Sequence, residues 1–239
     1  MATLMFVLAH PDDESFGAGG TIARYARRGH RVVLVCATRG EAGKCGDPPL
    51  CRQEELGEVR ERELRAAAEV LGISRVEFLG YRDKEVLLAN PAEIVGKIVQ
   101  LLKEERPEAL VTFGPDGISG HVDHRAISHF ATLAFWSLPE EERPARLYYY
   151  AWEQGVREHL QLRQALPSLP VTTVLDVGEW VEVKKQALLC HRTQHLSLER
   201  VFFSLTEEQL QKALSKEGFH RVWPVWTGGE KERGILNNK

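Results

Sequence analysis

The chain has 239 residues, 43% of them hydrophobic and 27% charged, with a formal net charge of −3. That composition fits one α/β domain with some decoration, long enough to bury a core without staples. No basic surplus points to nucleic acid or an anionic membrane, and no apolar run approaches the roughly 20 residues of a membrane span. Too few residues precede His10 for a signal peptide, so the expected location is the cytoplasm.

The apolar run Leu4-Met5-Phe6-Val7-Leu8 predicts a buried strand, with His10, Asp12, Asp13 and Glu14 at its exit. Pro11 biases His10 towards extended backbone, so this cluster is expected on a turn and not inside a helix. A helix is predicted over 17–29, where Gly17-Ala-Gly-Gly20 reads as close helix–sheet packing, and a second strand over 31–37. The Gly- and Pro-rich loop 39–52 is a candidate lid. It carries Cys45 and Cys51, expected as free thiols, with a loop disulfide or a metal contact as alternatives. A helix follows over 53–71, with Leu64, Ala67, Ala68 and Leu71 on its apolar face, then a strand over 75–79. Next come a helix over 91–104, a strand over 109–113, a glycine-rich turn over 114–120 and a helix over 122–136. Strict alternation of strand and helix predicts a Rossmann-like, doubly wound, mainly parallel sheet with helices on both faces.

The remainder is less regular. Strands are expected over 146–152 and 171–177, helical decoration over 156–169, a helix over 179–191, a short helix over 206–216 and an aromatic strand over 219–226. Residues 228–239 read as a solvated tail. The expected organisation is one domain over 1–195 with a small C-terminal extension, 196–239, packed on it.

Chemistry concentrates in two places. His10 and Asp13 leave the first strand three positions apart; His121 and His124 have the same spacing where the helix after the fourth strand begins. In a parallel sheet both loops emerge on one side, so the clusters can converge across 110 positions. Catalytic zinc takes three protein ligands and leaves one position for water, and two His with one Asp form a suitable set. A carboxylate beside such a metal can take a proton from its water, a nearby His can stabilise an oxyanion, and an Asp can hold a His tautomer.

Ala9-His-Pro-Asp-Asp-Glu14 followed by Gly120-His-Val-Asp-His124 resembles the zinc-dependent de-N-acetylases of the PIG-L / LmbE-like family. The likeness continues through Thr38–Gly43, Arg60–Leu64, Gly80–Asp83 and Lys184–Gln194, over about residues 3–195. It implies His10, Asp13 and His124 as ligands of Zn2+, or of another divalent transition metal by availability, with Asp12 as general base on the metal-bound water. It implies His121 as oxyanion stabiliser or acid to the leaving amine, and Asp123 as the group that orients a neighbouring His. Arg60 and Asp83 are the implied contacts to sugar hydroxyls, with Glu41 and Arg39 also available for substrate binding. The implied reaction removes the N-acetyl group from an N-acetylglucosamine derivative, a small amino-sugar substrate. An amidase acting on a thiol-sugar conjugate and a non-catalytic zinc- or sugar-binding protein are the alternatives. Family resemblance also implies a homo-oligomer, trimer or hexamer. His30 is expected to be solvated in a tight turn, His129 to point away from the site, His159, His195 and His220 to be structural, Glu14 to support the helix start, and His191 either to line the site or not. The Tyr148–Trp152 segment is expected to face the core on one side and a subunit contact on the other, with sugar stacking as the alternative.

Overall fold

Strands β1 (Thr3–Leu8), β2 (Arg31–Cys36), β3 (Arg75–Phe78), β4 (Ala109–Thr112), β5 (Arg146–Tyr150), β6 (Thr173–Asp176) and β7 (Lys216–Trp223) form one sheet in the order β3-β2-β1-β4-β5-β7-β6. The computed structural model describes residues 1–152, 169–203 and 205–236. The helical decoration expected over 156–169, and His159 with it, lies outside the described residues except for Leu169.

The first five strands run parallel, with β1 paired to β2 from Thr3↔Arg31 to Leu8↔Cys36 and to β4 from Leu4↔Ala109 to Phe6↔Val111. Both faces of these strands are covered by helices. Leu4 to Leu8, Val32 to Cys36 and Ala109 to Val111 are therefore buried, the continuous apolar pattern that a doubly covered strand requires. On one face lie α1 (Asp13–Arg27), α2 (Leu56–Leu71) and α6 (Val181–Cys190); on the other lie α3 (Pro91–Glu105) and α5 (Val122–Ser137), which follows the one-turn α4 (Gly117–Gly120). Two further helices, α7 (His195–Leu198) and α8 (Glu207–Leu214), belong to the C-terminal part. Among the described residues, no helix is long and apolar enough to cross a membrane.

Chain order reverses between β1 and β4. The connection after β1 runs to β2 on one side, and that after β4 runs to β5 on the other. The crevice outside the carboxyl ends of two such strands is where open α/β sheets bind ligands. Both polar clusters sit at that crevice.

Several expectations need correction. Helix α1 begins at Asp13, four residues earlier than predicted, and kinks at Ala18 (φ −144, ψ 20), so Asp13 and Glu14 lie in its first turn. The early start follows from backbone hydrogen bonds of Ser15 and Phe16 to the Asp12 carbonyl, both 3.0 Å. A Cβ at Gly17 would collide with the Tyr150 ring, and one at Gly20 would stand 2.6 Å from Val177, which is the close packing read from the glycines. Strand β7 runs antiparallel between β5 and β6. The C-terminal stretch is not a solvated tail: Glu232 exchanges backbone hydrogen bonds with Thr172 and Val174, and Ile235 and Leu236 are buried with their amides donating to the Tyr25 hydroxyl. Two adjacent apolar side chains had a core surface available and took it. Tyr148, Tyr149 and Tyr150 are all buried, because α5 covers the face of β5 that the strand alternation left for a subunit.

Candidate active site

His10, Asp12 and Asp13 leave the end of β1, and His121, Asp123 and His124 leave the loop after β4; the fold brings all six together. Asp13 folds back on its own loop, its Oδ2 accepting the amides of His10 (2.7 Å) and Ala9 (3.2 Å). Its Oδ1 then lies 3.2 Å from His124 Nε2, while His10 Nδ1 lies 3.1 Å from that nitrogen and 3.7 Å from Asp13 Oδ2.

The outer hydrogen bonds fix the tautomers. His124 Nδ1 donates to the Gly117 carbonyl at 3.0 Å, which leaves Nε2 bare. His10 Nε2 sits between Asp83 Oδ1 (3.1 Å) and Asp123 Oδ2 (3.2 Å), both acceptors, so it carries the proton and Nδ1 is bare. Two imidazole lone pairs and a carboxylate thus face one another at 3.1–3.7 Å. Such an arrangement repels itself unless a proton or a cation sits inside it. A tetrahedral ion with bonds of about 2.0–2.1 Å separates its ligands by about 3.3 Å, so the donor set and its spacing fit a divalent transition metal. One ring nitrogen each of His10, His121 and His124 also falls within 4.8 Å of the others; so do atoms of His10, Asp83 and Asp123, but there the carboxylates flank an N–H and orient it.

Electrostatics follow from this crowding. Burial pulls the His10 pKa down, but the hydrogen bonds to Asp123 and Asp83 and the charge of Asp13 outweigh it and raise it to about 10, so without a cation Nδ1 takes up a proton in the place a metal would fill. Burial works against the Asp13 carboxylate, yet His124 and His10 hold it well below the usual range. Burial likewise opposes ionisation of Asp83, while the hydrogen bond to His10 brings it down to about 2. Asp12 goes the other way. Burial pushes it up to about 6, against the pull of Arg60 and with the repulsion of Asp13. His121 is lowered by burial and by the neighbouring His10 and His124.

Asp12 adopts φ 110, a conformation that costs a non-glycine residue about 1–3 kcal/mol. Four hydrogen bonds brace it there. Its amide donates to Glu14 Oε2 at 3.1 Å; Arg60 Nη2 reaches its Oδ2 at 3.2 Å and also the Pro11 carbonyl; and Arg60 Nη1 donates to the Gly40 carbonyl at 2.9 Å. His121 is the N-cap of α5. Its Nδ1 accepts the Asp123 amide at 3.2 Å, so the neutral ring carries its proton on Nε2. Half-buried, it is a neutral donor beside the metal-type cluster.

These groups line a cavity of about 310 Å3. Phe113, Tyr150 and Trp152 give it apolar walls, and Ala42, Gly43 and Lys84 close one side. Phe113 stacks on His124 with ring centroids 4.1 Å apart and 9° between planes. As the residue just past β4, it could have been singled out by position.

Other expected residues fall in different places. Asp123 orients a histidine, but that histidine is His10, more than a hundred positions away; its carboxylate also accepts the amides of Lys84 (2.5 Å) and Val86 (3.2 Å). Neither amide leaves a signal in side-chain patterns. Asp83 lines the cavity and holds His10 and the Ala42 amide. Arg60 reaches the cavity, with its guanidinium engaged by Asp12 and two carbonyls. Glu41 supports the Asp83 amide at 3.1 Å and Arg39 pairs with Glu61; neither lines the cavity. The loop 39–52 is tied down at Lys44 by Gln194 and at Glu41 by Gln53, and Cys45 and Cys51 are free thiols. His129 is exposed on α5, away from the site, and His191 is wholly buried behind it.

Residues 5–135 match the family described as PIG-L, GlcNAc-PI de-N-acetylase. The chain is 33% identical to a probable N-acetyl-alpha-D-glucosaminyl L-malate deacetylase 2 of Bacillus anthracis over 192 residues, 80% of each protein. It is also 33% identical to a 1D-myo-inositol 2-acetamido-2-deoxy-alpha-D-glucopyranoside deacetylase of Streptomyces avermitilis over 271 residues, covering 92% of this chain and 91% of that protein. The fold is shared with N,N'-diacetylchitobiose deacetylase of Pyrococcus horikoshii (TM-score 0.69, 23% identity, 92% of this chain and 84% of that one). It is shared equally with GalB, the 4-carboxy-2-hydroxymuconate hydratase of Pseudomonas putida (TM-score 0.68, 22% identity, 96% and 99%), so the fold alone does not assign a reaction. The sequence match across both clusters does assign kinship: the chain belongs to the PIG-L family.

Proposed function

We propose that this protein is a metal-dependent hydrolase that removes the acetyl group from an N-acetylglucosamine derivative. The observation that carries the reading is the convergence of two bare imidazole nitrogens and a carboxylate at 3.1–3.7 Å on the cavity that Asp12 and His121 also line. The 2-acetamido sugar common to the relatives' names supports the substrate class.

His10, Asp13 and His124 would hold the metal, with zinc suited to this set of two imidazoles and one carboxylate. When bound, the metal supplies Lewis acidity, polarising the acyl oxygen and lowering the pKa of water. Asp12 takes the proton of the attacking water; at about 6 it is ionised at neutral pH yet basic enough to accept. Arg60 holds that carboxylate in place. His121 donates Nε2–H to the oxygen of the tetrahedral intermediate, a role that suits a neutral ring whose Nδ1 is already engaged. The water oxygen becomes part of acetate, the C–N bond breaks, and the proton taken by Asp12 passes to the departing nitrogen. Asp123 and Asp83 keep His10 in the tautomer that offers Nδ1 to the metal. Phe113, Tyr150 and Trp152 exclude water from one side of the cavity.

The test is acetate release from a panel of N-acetylglucosamine glycosides, with metal content measured on the same sample. Release that disappears on chelation and returns with a divalent metal supports the reading; no release from any 2-acetamido sugar by the metal-loaded protein would end it.

A further inference from the structure

Directly behind Asp12 lies a buried polar cluster that the proposed chemistry does not use. His191, at the C-terminal end of α6, and Glu14, in the first turn of α1, are both 0% exposed. His191 Nε2 lies 2.8 Å from Glu14 Oε1, which also accepts the Ser15 hydroxyl at 2.5 Å. A carboxylate oxygen accepts, so the His191 proton that meets Oε1 is on Nε2. The other oxygen, Oε2, accepts the backbone amide of Asp12. His191 is itself fixed from the far side. Its carbonyl accepts the Gln194 amide, and Thr193 donates both its amide (2.8 Å) and its hydroxyl (2.7 Å) to Glu63 of α2.

A pair of this kind is a poor way to gain stability. Burying two polar groups costs desolvation that well-packed apolar side chains of similar volume avoid. What the pair does accomplish is directional. Asp12 stands at φ 110 immediately before α1, and Glu14 Oε2, in the first turn of that helix, is the acceptor that meets its amide. Without His191, Oε1 keeps only the Ser15 hydroxyl, which belongs to the same helical turn as Glu14, so nothing outside that turn fixes the carboxylate that meets the Asp12 amide.

We propose that His191 is a positioning residue for proton transfer, acting through Glu14 to fix the backbone, and hence the carboxylate, of Asp12. The inference rests on the reading of Asp12 as the general base. His191 touches neither the cavity nor any of the three metal-type donors.

Three variants of the metal-loaded enzyme test it: His191→Leu, which removes the donor that reaches Glu14 from outside its own turn; His191→Gln, whose amide nitrogen reaches as far as Nε2; and His191→Leu combined with Asp12→Ala. The expected result is a kcat loss of roughly 10- to 100-fold in His191→Leu, the cost of a misplaced reacting group, with KM and bound metal unchanged. His191→Gln should recover most of that loss, and the Leu substitution should have no further effect once Asp12 is Ala. Should the Leu variant not fold, His191→Asn, whose amide falls one bond short of Glu14, takes its place in the same comparisons. Unchanged kcat in the folded variant, an equal loss in His191→Gln, loss of metal, or the same loss in the Asp12→Ala background would each overturn the proposal. Absence of acetate release from the wild type would instead break the reading of Asp12, so the two failures are distinguishable.

Discussion

The two loops that build the site are built differently. The loop after β1 is buried and cross-braced: Asp13 accepts two amides of its own turn, Glu14 accepts a third, and Arg60 ties Asp12 and Pro11 to Gly40. The loop after β4 is more exposed and bends through three residues of positive φ, Gly117, Ile118 and Gly120. Its bonds stay local: the Asp116 carboxylate takes the Ile118 amide, the Ser119 hydroxyl takes that of His121, and the Gly117 carbonyl takes the N–H of His124. The contrast separates two tasks. On the proposed roles, a base held at a fixed distance from the attacking water calls for a loop anchored to the interior. A donor proposed to meet the oxyanion of a substrate that enters from solvent calls for a loop at the cavity wall.

Substitutions on the two sides sharpen this division. Asp12→Ala should lower kcat the most, on the order of 10²- to 10⁴-fold, while metal analysis finds the ion retained. If metal is lost in proportion, Asp12 and Asp13 have been assigned the wrong way round. His121→Ala, on the other loop, should cost about 10²- to 10³-fold in kcat, again with metal bound, as expected for one oxyanion donor. Asp123→Asn removes the acceptor that orients His10 and should weaken metal affinity roughly 10- to 100-fold, read by competition with a chelator.

The pH profile gives a finer distinction. Asp12 is raised to about 6 before any cation is added, and a cation beside it lowers that value. As a base it acts when ionised, so activity should be full above pH ~6 and fall as the pH drops through the pKa of Asp12 in the loaded enzyme. That acid limb should vanish from the residual activity of Asp12→Ala; its persistence would assign it to another group. The smallest effect expected is on stability. Gly17→Ala places a methyl group against the Tyr150 ring and should cost about 1–3 kcal/mol in denaturant unfolding by overpacking.

How much of this was legible in the chain varies by kind. The alternation of apolar runs and amphipathic stretches fixed the parallel half of the sheet, because strand and helix periodicities are properties of neighbouring residues. The six chemical residues stood out because His and Asp at strand exits have few structural reasons to cluster. Their partners did not stand out. Asp123 serves His10 rather than an adjacent histidine, and Glu14 meets His191 across 177 positions. Arg60 is held by backbone carbonyls that no side-chain motif records.

By itself, then, the sequence determined the element types, the α/β class and which His and Asp side chains are candidates for the site, since each depends on local composition and spacing. Tertiary structure alone decided that β1 lies beside β4, which puts both clusters at one crevice. It also decided which nitrogen of each histidine is bare, that β7 enters antiparallel, and that Ile235 and Leu236 return to the core. The reason is physical: hydrogen-bond direction and packing are settled between residues that meet only after the chain has folded, and one-dimensional spacing carries no record of that meeting.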